Sequence, residues 1–308
     1  MAGAAVFASA LTKHFGDLIA VDGVHFEVAR GETFGLLGPN GAGKTSIMHI
    51  ISCISPPTSG ELRVLGMDPV ADEVRIRGRL GICPQSDRLD HDLTVRENLV
   101  TYARYFGISR VDARQRATEL LEFAQLSERM NDRVETLSGG MKRRLTIART
   151  MVNDPEMIIL DEPTTGLDPQ ARHLLWERLF RLKQRGITLL LSTHYMDEAE
   201  QLCDRLIILD RGTIVAEGAP RALIAQHTSP VVVELRFGTE AANTYSGKLE
   251  GIGDHLDALP DRLLIYGSDE DGIITEVHRR GLTPSSVLTR RSTLEDVFLR
   301  LTGRTLVE

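Results

Sequence analysis

Gly38-Pro39-Asn40-Gly41-Ala42-Gly43-Lys44-Thr45 follows a short apolar run, Thr33-Phe34-Gly35-Leu36-Leu37, and opens a stretch with Ile47, Met48, Ile50, Ile51 and Ile54 apolar. Strand, glycine-rich loop ending in Gly-Lys-Thr, then helix is the order of a phosphate-binding loop. Glycine lets the backbone curl with its N–H groups inward, making a concave cradle for phosphate oxygens. The helix that follows adds free N–H groups and the positive end of its dipole. In that arrangement Lys44 reaches the β- and γ-phosphates and the Thr45 hydroxyl takes one Mg2+ position.

Outward from this loop, the composition is that of an ordinary globular protein. Of 308 residues, 42% are hydrophobic and 26% charged, with a net charge of −7. The acidic balance argues against nonspecific nucleic-acid binding, which needs a basic surface. No apolar run reaches the roughly 18 residues of a membrane span. The lead-in MAGAAVFASA lacks a charged n-region and reads as a first strand rather than a signal peptide. Cys53, Cys83 and Cys203 sit far apart inside apolar patterns, as small core residues do.

Along the chain, residues 4–37 read as strands and turns, with Phe15 an aromatic ahead of Gly16. Leu80-Gly81-Ile82-Cys83 is a short strand ending at Pro84-Gln85. An amide there can ligate Mg2+ or hold water near a γ-phosphate; it can equally be a surface glutamine. Thr94-Val95-Arg96-Glu97 and Ser109-Arg110-Val111-Asp112 are capping boxes, and about 90–135 reads as a helical insertion with Val111, Ala117, Leu120, Leu121 and Ala124 on one face. Leu137-Ser138-Gly139-Gly140 then opens a second helix whose uncovered N–H groups make a second anion site. Arg143 and Arg144, just beyond, are expected on a solvated helix face.

Met157-Ile158-Ile159-Leu160-Asp161-Glu162 has the continuous apolar pattern of a strand buried on both faces, and it ends in two carboxylates. Beside the phosphate loop, Asp161 would hold Mg2+ and Glu162 would polarise an attacking water. A loop with Gly166-Leu167-Asp168 leads to a helix at about 170–185, and Thr188–Ser192 is a strand ending at Thr193-His194. Arg205–Asp210 and Thr213–Glu217 read as a hairpin, followed by a short helix at about 219–226. After Thr228-Ser229-Pro230 the pattern changes: strands at 231–237 and 262–267, a looser strand near 273–277, and a last helix capped by Ser292-Thr293-Leu294-Glu295.

Six of these features stand in one order: the loop at 38–45, Gln85, Leu-Ser-Gly-Gly at 137–140, Asp161-Glu162, Asp168 and His194. Over about residues 4–226 the sequence resembles the nucleotide-binding subunits of ABC transporters. The resemblance implies an α/β fold: an ABC-type P-loop NTPase with a RecA-like core, an antiparallel β subdomain and a helical insertion. It places that domain at 4–227, with a small C-terminal α+β domain at 228–308. It implies ATP and Mg2+ as cofactors and assigns Phe15 to the base, and Gly38, Pro39, Asn40, Gly41, Ala42, Gly43, Lys44 and Thr45 to the phosphates. Thr45, Gln85 and Asp161 are assigned to the metal, Glu162 to general base catalysis, and Gln85 and His194 to sensing the γ-phosphate. Ser138, Gly139 and Gly140 would contact ATP held by a second copy in a head-to-tail dimer, with Asp168 at the dimer contact. Met141 departs from the glutamine common in the family.

Leu137–Arg149, Ala171–Arg178, Glu200–Arg205 and the closing segment Leu294–Arg304 look like the NodI branch. That branch comprises the ATPases that work with the membrane protein NodJ to export lipo-chitooligosaccharide nodulation factors. The implied protein is an ABC-2 type export ATPase, peripheral on the cytoplasmic face of the bacterial inner membrane, with a NodJ-like permease as partner and no nucleic acid. Multidrug or polysaccharide exporters of the ABC-2 type close similarly, and a soluble non-transport ABC ATPase is the remaining alternative.

Overall fold

The computed structural model describes residues 3–238 and 243–303. Met1 and Ala2 of the lead-in and Arg304 of the closing segment lie outside them. The chain divides into two compact units, Met1–Glu217 and Gly218–Glu308.

In the first unit, β1 (Val6–Phe15) and β2 (Leu18–Val28) pair antiparallel, after which β3 (Thr33–Leu37), buried at every position, enters a different sheet. α1 (Lys44–Ile51) follows the phosphate loop and buries Ile47, Met48, Ile50 and Ile51. Ile54 falls beyond its end and is exposed. β4 (Ser59–Val64) returns to β1, closing a three-stranded antiparallel sheet of order β2-β1-β4. Next come α2 (Glu73–Arg77), β5 (Leu80–Cys83) and the helical stretch α3 (Val95–Tyr105), α4 (Arg110–Phe123) and α5 (Gly139–Thr150).

Of the two capping boxes expected in the insertion, Thr94/Glu97 forms in both directions, while at Ser109/Asp112 only the Ser109 cap forms. The Thr94 hydroxyl accepts from the Glu97 N–H at 3.2 Å, and Ser109 accepts from the Asp112 N–H at 3.2 Å. Val111 is exposed, so the buried stripe of α4 runs instead through Ala113, Ala117, Leu120 and Leu121, the i, i+4, i+7, i+8 set of one helix face.

β6 (Met157–Asp161), α6 (Pro169–Gln184), β7 (Thr188–Thr193), α7 (Met196–Leu202), β8 (Arg205–Asp210) and β9 (Thr213–Gly218) complete the six-stranded sheet, order β5-β6-β7-β3-β8-β9. β5, β6, β7, β3 and β8 run parallel. Their apolar runs are uninterrupted because a parallel sheet is covered on both faces. Phe34, Leu36, Ile159, Leu190 and Ile207 from four of these strands share one core with Ile47, Ile50 and Ile51 of α1. That core presses the helix bearing Lys44 onto the sheet.

The second unit begins with α8 (Pro220–His227), which packs on the final helix, so the break in the chain precedes that helix. It continues as β10 (Val231–Arg236), α9 (Asn243–Leu249), β11 (His255–Ala258), β12 (Leu263–Gly267), α10 (Glu270–Arg279), β13 (Ser286–Arg291) and α11 (Leu294–Thr302). Strand order β11-β12-β10-β13, all antiparallel, with the βαββαβ sequence of elements is a ferredoxin-like split βαβ.

Two expectations fail in this unit. Residues 273–277 are helix, not strand: Asp269 caps α10 by accepting from the Gly272 N–H at 3.0 Å, and Ile273 and Val277, one turn apart, enter the same core. The last capping box sits one residue later than expected, on Thr293 and Asp296 rather than Ser292 and Glu295. The Ser292 hydroxyl goes instead to the Ser229 carbonyl, and Asp296 is the acid that turns inward.

Candidate active site

The phosphate loop owes its shape to two glycines that no other residue could replace. Gly43 has φ +104°, and a Cβ there would lie 2.4 Å from the Ala20 carbonyl oxygen. A Cβ on Gly38 would lie 2.3 Å from that of Leu209. Gly43 also leads directly into α1, whose first turn contains no acidic side chain to compete for the free N–H groups. Thr45 stands exposed at that helix start, beside Lys44.

Lys44 is buried, only 5% exposed, and folds back over the loop. Its Nζ donates to the carbonyls of Gly38 at 2.7 Å and Pro39 at 3.0 Å and lies 3.9 Å from Glu162 Oε1. Burial pulls its pKa below the ordinary lysine value, against the opposing pull of Glu162 and then Asp161. The strands explain the meeting: β3 delivers the loop, β6 delivers Asp161 and Glu162, and β7 lies between them in the sheet.

Glu162 collects most of the remaining candidates. Its Oε2 accepts from Gln85 Nε2 at 3.0 Å and from the Thr165 hydroxyl at 3.2 Å, while Oε1 is 3.1 Å from His194 Nδ1. Its backbone has φ +44°, a left-handed conformation that costs a non-glycine residue about 1–2 kcal/mol. Contacts on both sides hold it there. The Glu162 N–H donates to the Ser192 carbonyl at 3.2 Å and to Ser192 Oγ at 3.1 Å. Its carbonyl accepts from Arg143 Nη2 at 3.2 Å.

Arg143 is therefore not on a solvated face. It is 4% exposed and also donates to the carbonyls of Pro163 (2.7 Å), Pro84 (2.6 Å), Gln85 (3.2 Å) and Asp161 (3.0 Å). One guanidinium fork thus joins the loop carrying Gln85 to the loop carrying Glu162. Arg144 also turns inward, donating to the Ala124 carbonyl at 2.8 Å. The helix start that exposes Ser138 and Gly139 is what turns the next positions toward the core.

Ser192 was not singled out from the sequence. Besides receiving the Glu162 N–H, its hydroxyl donates to Asp161 Oδ1 at 2.6 Å. A polar residue within the apolar run Thr188–Thr193 was the available signal. Among the described residues Asp161 Oδ2 carries no hydrogen bond, and neither does the side-chain amide oxygen Oε1 of Gln85, whose Nε2 faces Glu162. One carboxylate oxygen, one amide oxygen and the Thr45 hydroxyl are hard oxygen donors. Mg2+ takes few protein ligands of this kind and completes its shell with phosphate and water. The donor set fits that ion.

Ser138, Gly139, Gly140, Asp168 and Phe15 stand apart from this cluster. Among the described residues no hydrogen bond or ion pair connects them to it. Ser138 caps α5, accepting from the Met141 N–H at 3.3 Å, and Gly139 is exposed. At Gly140 a Cβ would come to 3.0 Å from Ala171 Cβ. Asp168 caps α6, accepting from the Ala171 N–H at 2.9 Å. Phe15 is 51% exposed, with Lys13 Nζ 4.9 Å from its ring centre.

A phosphate loop set one strand away from a carboxylate pair, with a histidine after the end of the strand between them, is the construction of an ATP-hydrolysing P-loop cassette. The family model described as ABC transporter matches residues 21–165, and the one described as the C-terminal domain of the nodulation factor export protein NodI matches residues 241–303. The chain is 48% identical to the Nod factor export ATP-binding protein I of Burkholderia lata, over 95% of each chain. It is 47% identical to the protein of that name from Paraburkholderia xenovorans, over 99% of each. The Bradyrhizobium diazoefficiens protein is 47% identical, over 99% of this chain and 98% of that one.

Among solved structures, the ATP-binding cassette MJ0796 in a dimeric post-hydrolysis state bound to ADP and Pi aligns with TM-score 0.64 and 29% identity, over 70% of this chain and 98% of its own. CbiO1 from Clostridium perfringens, part of the transporter complex cbiONQ, aligns with TM-score 0.68 and 26% identity, over 72% and 91%. The chain belongs to the ABC transporter family as an ATP-binding subunit, in the branch of the Nod factor export ATP-binding proteins.

Proposed function

We propose that the chain hydrolyses ATP to drive export of lipo-chitooligosaccharide nodulation factors through a separate, NodJ-like permease, working on the cytoplasmic face of the inner membrane. Near-full-length identity of 46–48% to Nod factor export ATP-binding proteins supports the transport side of this reading. Among the described residues no helix is long and apolar enough to cross a membrane. The observation that carries the chemistry is the convergence of Gln85, His194 and Lys44 on Glu162.

In this reading the loop from Gly38 to Thr45 cradles the triphosphate, with Pro39 and Asn40 at its turn and Ala42 holding its underside, while Phe15 stacks on the adenine. Lys44 leaves its two loop carbonyls for the β- and γ-phosphate oxygens. Thr45, Asp161 and Gln85 would hold Mg2+, which neutralises the charge that builds up on the phosphates. Glu162 takes the proton of the attacking water, and its left-handed backbone, fixed from both sides, aims the carboxylate. His194 shares Oε1 of Glu162 and so registers whether a γ-phosphate is present. The reaction needs positioning and charge neutralisation more than covalent chemistry.

Ser138, Gly139 and Gly140, remote from this cluster within one chain, contact ATP held by a second copy, with Asp168 at the dimer seam. The dimeric state named for MJ0796 supports that arrangement. Hydrolysis then releases the dimer and moves the permease. The test is co-purification: Glu162→Gln, tagged and held with ATP and Mg2+, extracted from native membranes in detergent. A stoichiometric polytopic partner is expected. Ribosomes or a soluble complex in its place would reject the transport reading.

A further inference from the structure

Between α4 and α6 in the first unit lies a cavity of about 720 Å³, away from the phosphate loop. Arg178 and Arg181 of α6 and Arg185, the residue at its C-cap, line it. Their i, i+3, i+7 spacing puts them on one helix face. Arg116 of α4 closes the opposite wall, its Nη1 tied to the Val152 carbonyl at 2.6 Å. The ring of Phe123 sits under two of these cations, with the guanidinium carbons of Arg178 and Arg185 at 5.7 Å and 5.6 Å from its centre.

Arg178 is the unusual member. It is only 4% exposed, and its Nε is buried without a hydrogen-bond partner. A buried guanidinium normally finds carboxylates or carbonyls, because an unmet donor carries a desolvation penalty. Glu119, Glu122 and Asp154 also line the cavity, yet among the described residues none of them forms an ion pair with Arg178, Arg181 or Arg185. Burial first, then the neighbouring charge of Arg181, pulls the pKa of Arg178 below the ordinary guanidinium value. The lining sets Arg116, Arg178, Arg181 and Arg185 against Glu119, Glu122 and Asp154, a positive excess, and the nearby Glu177 offsets the pull on Arg178 only in part.

We propose that this cavity is a binding site for a phosphate-bearing anion, held by the forks of Arg178, Arg181 and Arg185 above the Phe123 ring. Guanidinium forks match phosphate oxygens two at a time, and the volume suits a small phosphorylated molecule or a phosphate headgroup. A bound anion spans α4 of the helical insertion and α6, the helix that Asp168 caps, and so ties the insertion to the loop that follows Glu162. The site is independent of the proposed transport function and stands or falls separately.

The test uses the full chain saturated with Mg-ADP, so that the phosphate loop is already filled. Inorganic pyrophosphate is titrated by calorimetry, and flotation with phosphatidylglycerol vesicles is compared with flotation on phosphatidylcholine. Each measurement is repeated on the double variant Arg181→Glu/Arg185→Glu, whose exposed positions spare the fold, as unchanged Mg-ADP affinity will show. Saturable pyrophosphate binding, one per chain and weakened at least tenfold in the variant, supports the site with a free phosphate compound as ligand. Phosphatidylglycerol-dependent flotation lost in the variant, without pyrophosphate binding, supports it with a lipid headgroup. Binding that the variant leaves unchanged, or no saturable binding in either arm up to millimolar concentration, overturns it.

Discussion

Two buried charged side chains in the first unit carry opposite consequences for stability. Glu198 is fully buried, and burial pushes its pKa up to about 7, with Thr193, Thr164 and Trp176 offsetting this only in part. Neither of its oxygens has a hydrogen bond of good geometry. Because the folded state holds this proton to higher pH than the unfolded chain does, folding binds protons, and stability falls as pH rises from about 4.5 to about 7. Glu198→Gln is expected to remove that slope and to raise stability at pH 8 by on the order of 2–3 kcal/mol, read by urea unfolding at several pH values. A variant that keeps the wild-type slope would place the ionisation elsewhere. Arg143, with five backbone carbonyls to satisfy, behaves oppositely. Arg143→Ala is expected to cost about 3 kcal/mol and, by freeing the Glu162 backbone, to lower the ATPase rate more than nucleotide affinity. Equal losses in both would mean general loosening instead.

At the scale of elements, the phosphate loop divides its glycines by what surrounds them. Gly41 has φ +80° with nothing within 4 Å of an added Cβ, while Gly43 combines φ +104° with the Ala20 carbonyl at 2.4 Å. Gly41→Ala is expected to cost roughly 1–2 kcal/mol from backbone strain alone. Gly43→Ala must also displace the β2 backbone beside α1, and is expected to abolish nucleotide binding; equal effects of the two changes would contradict the close approach. In the second unit, Asp296 is 1% exposed and binds Arg290 through both oxygens, at 2.7 Å and 2.8 Å, while accepting from the Tyr266 hydroxyl at 3.0 Å. Burial alone would raise its pKa, but Arg290 and the Thr293 N–H hold it below the usual carboxylate value. Asp296→Ala leaves Arg290 and Tyr266 facing an emptied site and is expected to cost this unit about 3–5 kcal/mol. Amide exchange in β10 and β12 reads that loss directly, and unchanged protection would rule it out.

At the scale of the whole molecule, what the sequence displayed was what adjacent residues encode. The run into Gly38-Pro39-Asn40-Gly41-Ala42-Gly43-Lys44-Thr45, the helix start at Ser138 and the strand ending in Asp161-Glu162 each carry their signal within a dozen positions, and all three stand where expected. Arg143 and Ser192 acquire their partners, and Glu198 its burial, only in the folded chain, so nothing local marks them. Residues 273–277 misled because Ile-Ile-Thr-Glu-Val suits a strand by residue type, whereas the cap four residues earlier and the one-turn spacing of Ile273 and Val277 decide for helix. The same division explains the chemistry. Motifs mark the candidate groups, and the tertiary frame fixes the one residue on which they converge.

That residue gives the most direct measurement: steady-state ATPase rate and equilibrium ATP binding for Glu162→Gln. Glutamine preserves the shape that Gln85, Thr165 and His194 surround but cannot take a proton. ATP affinity within a few-fold of wild type, with turnover reduced by roughly 10²–10⁴-fold, is the expected result. Near-normal turnover in Glu162→Gln would contradict the assignment of Glu162 as the base and, with it, the reading of this site.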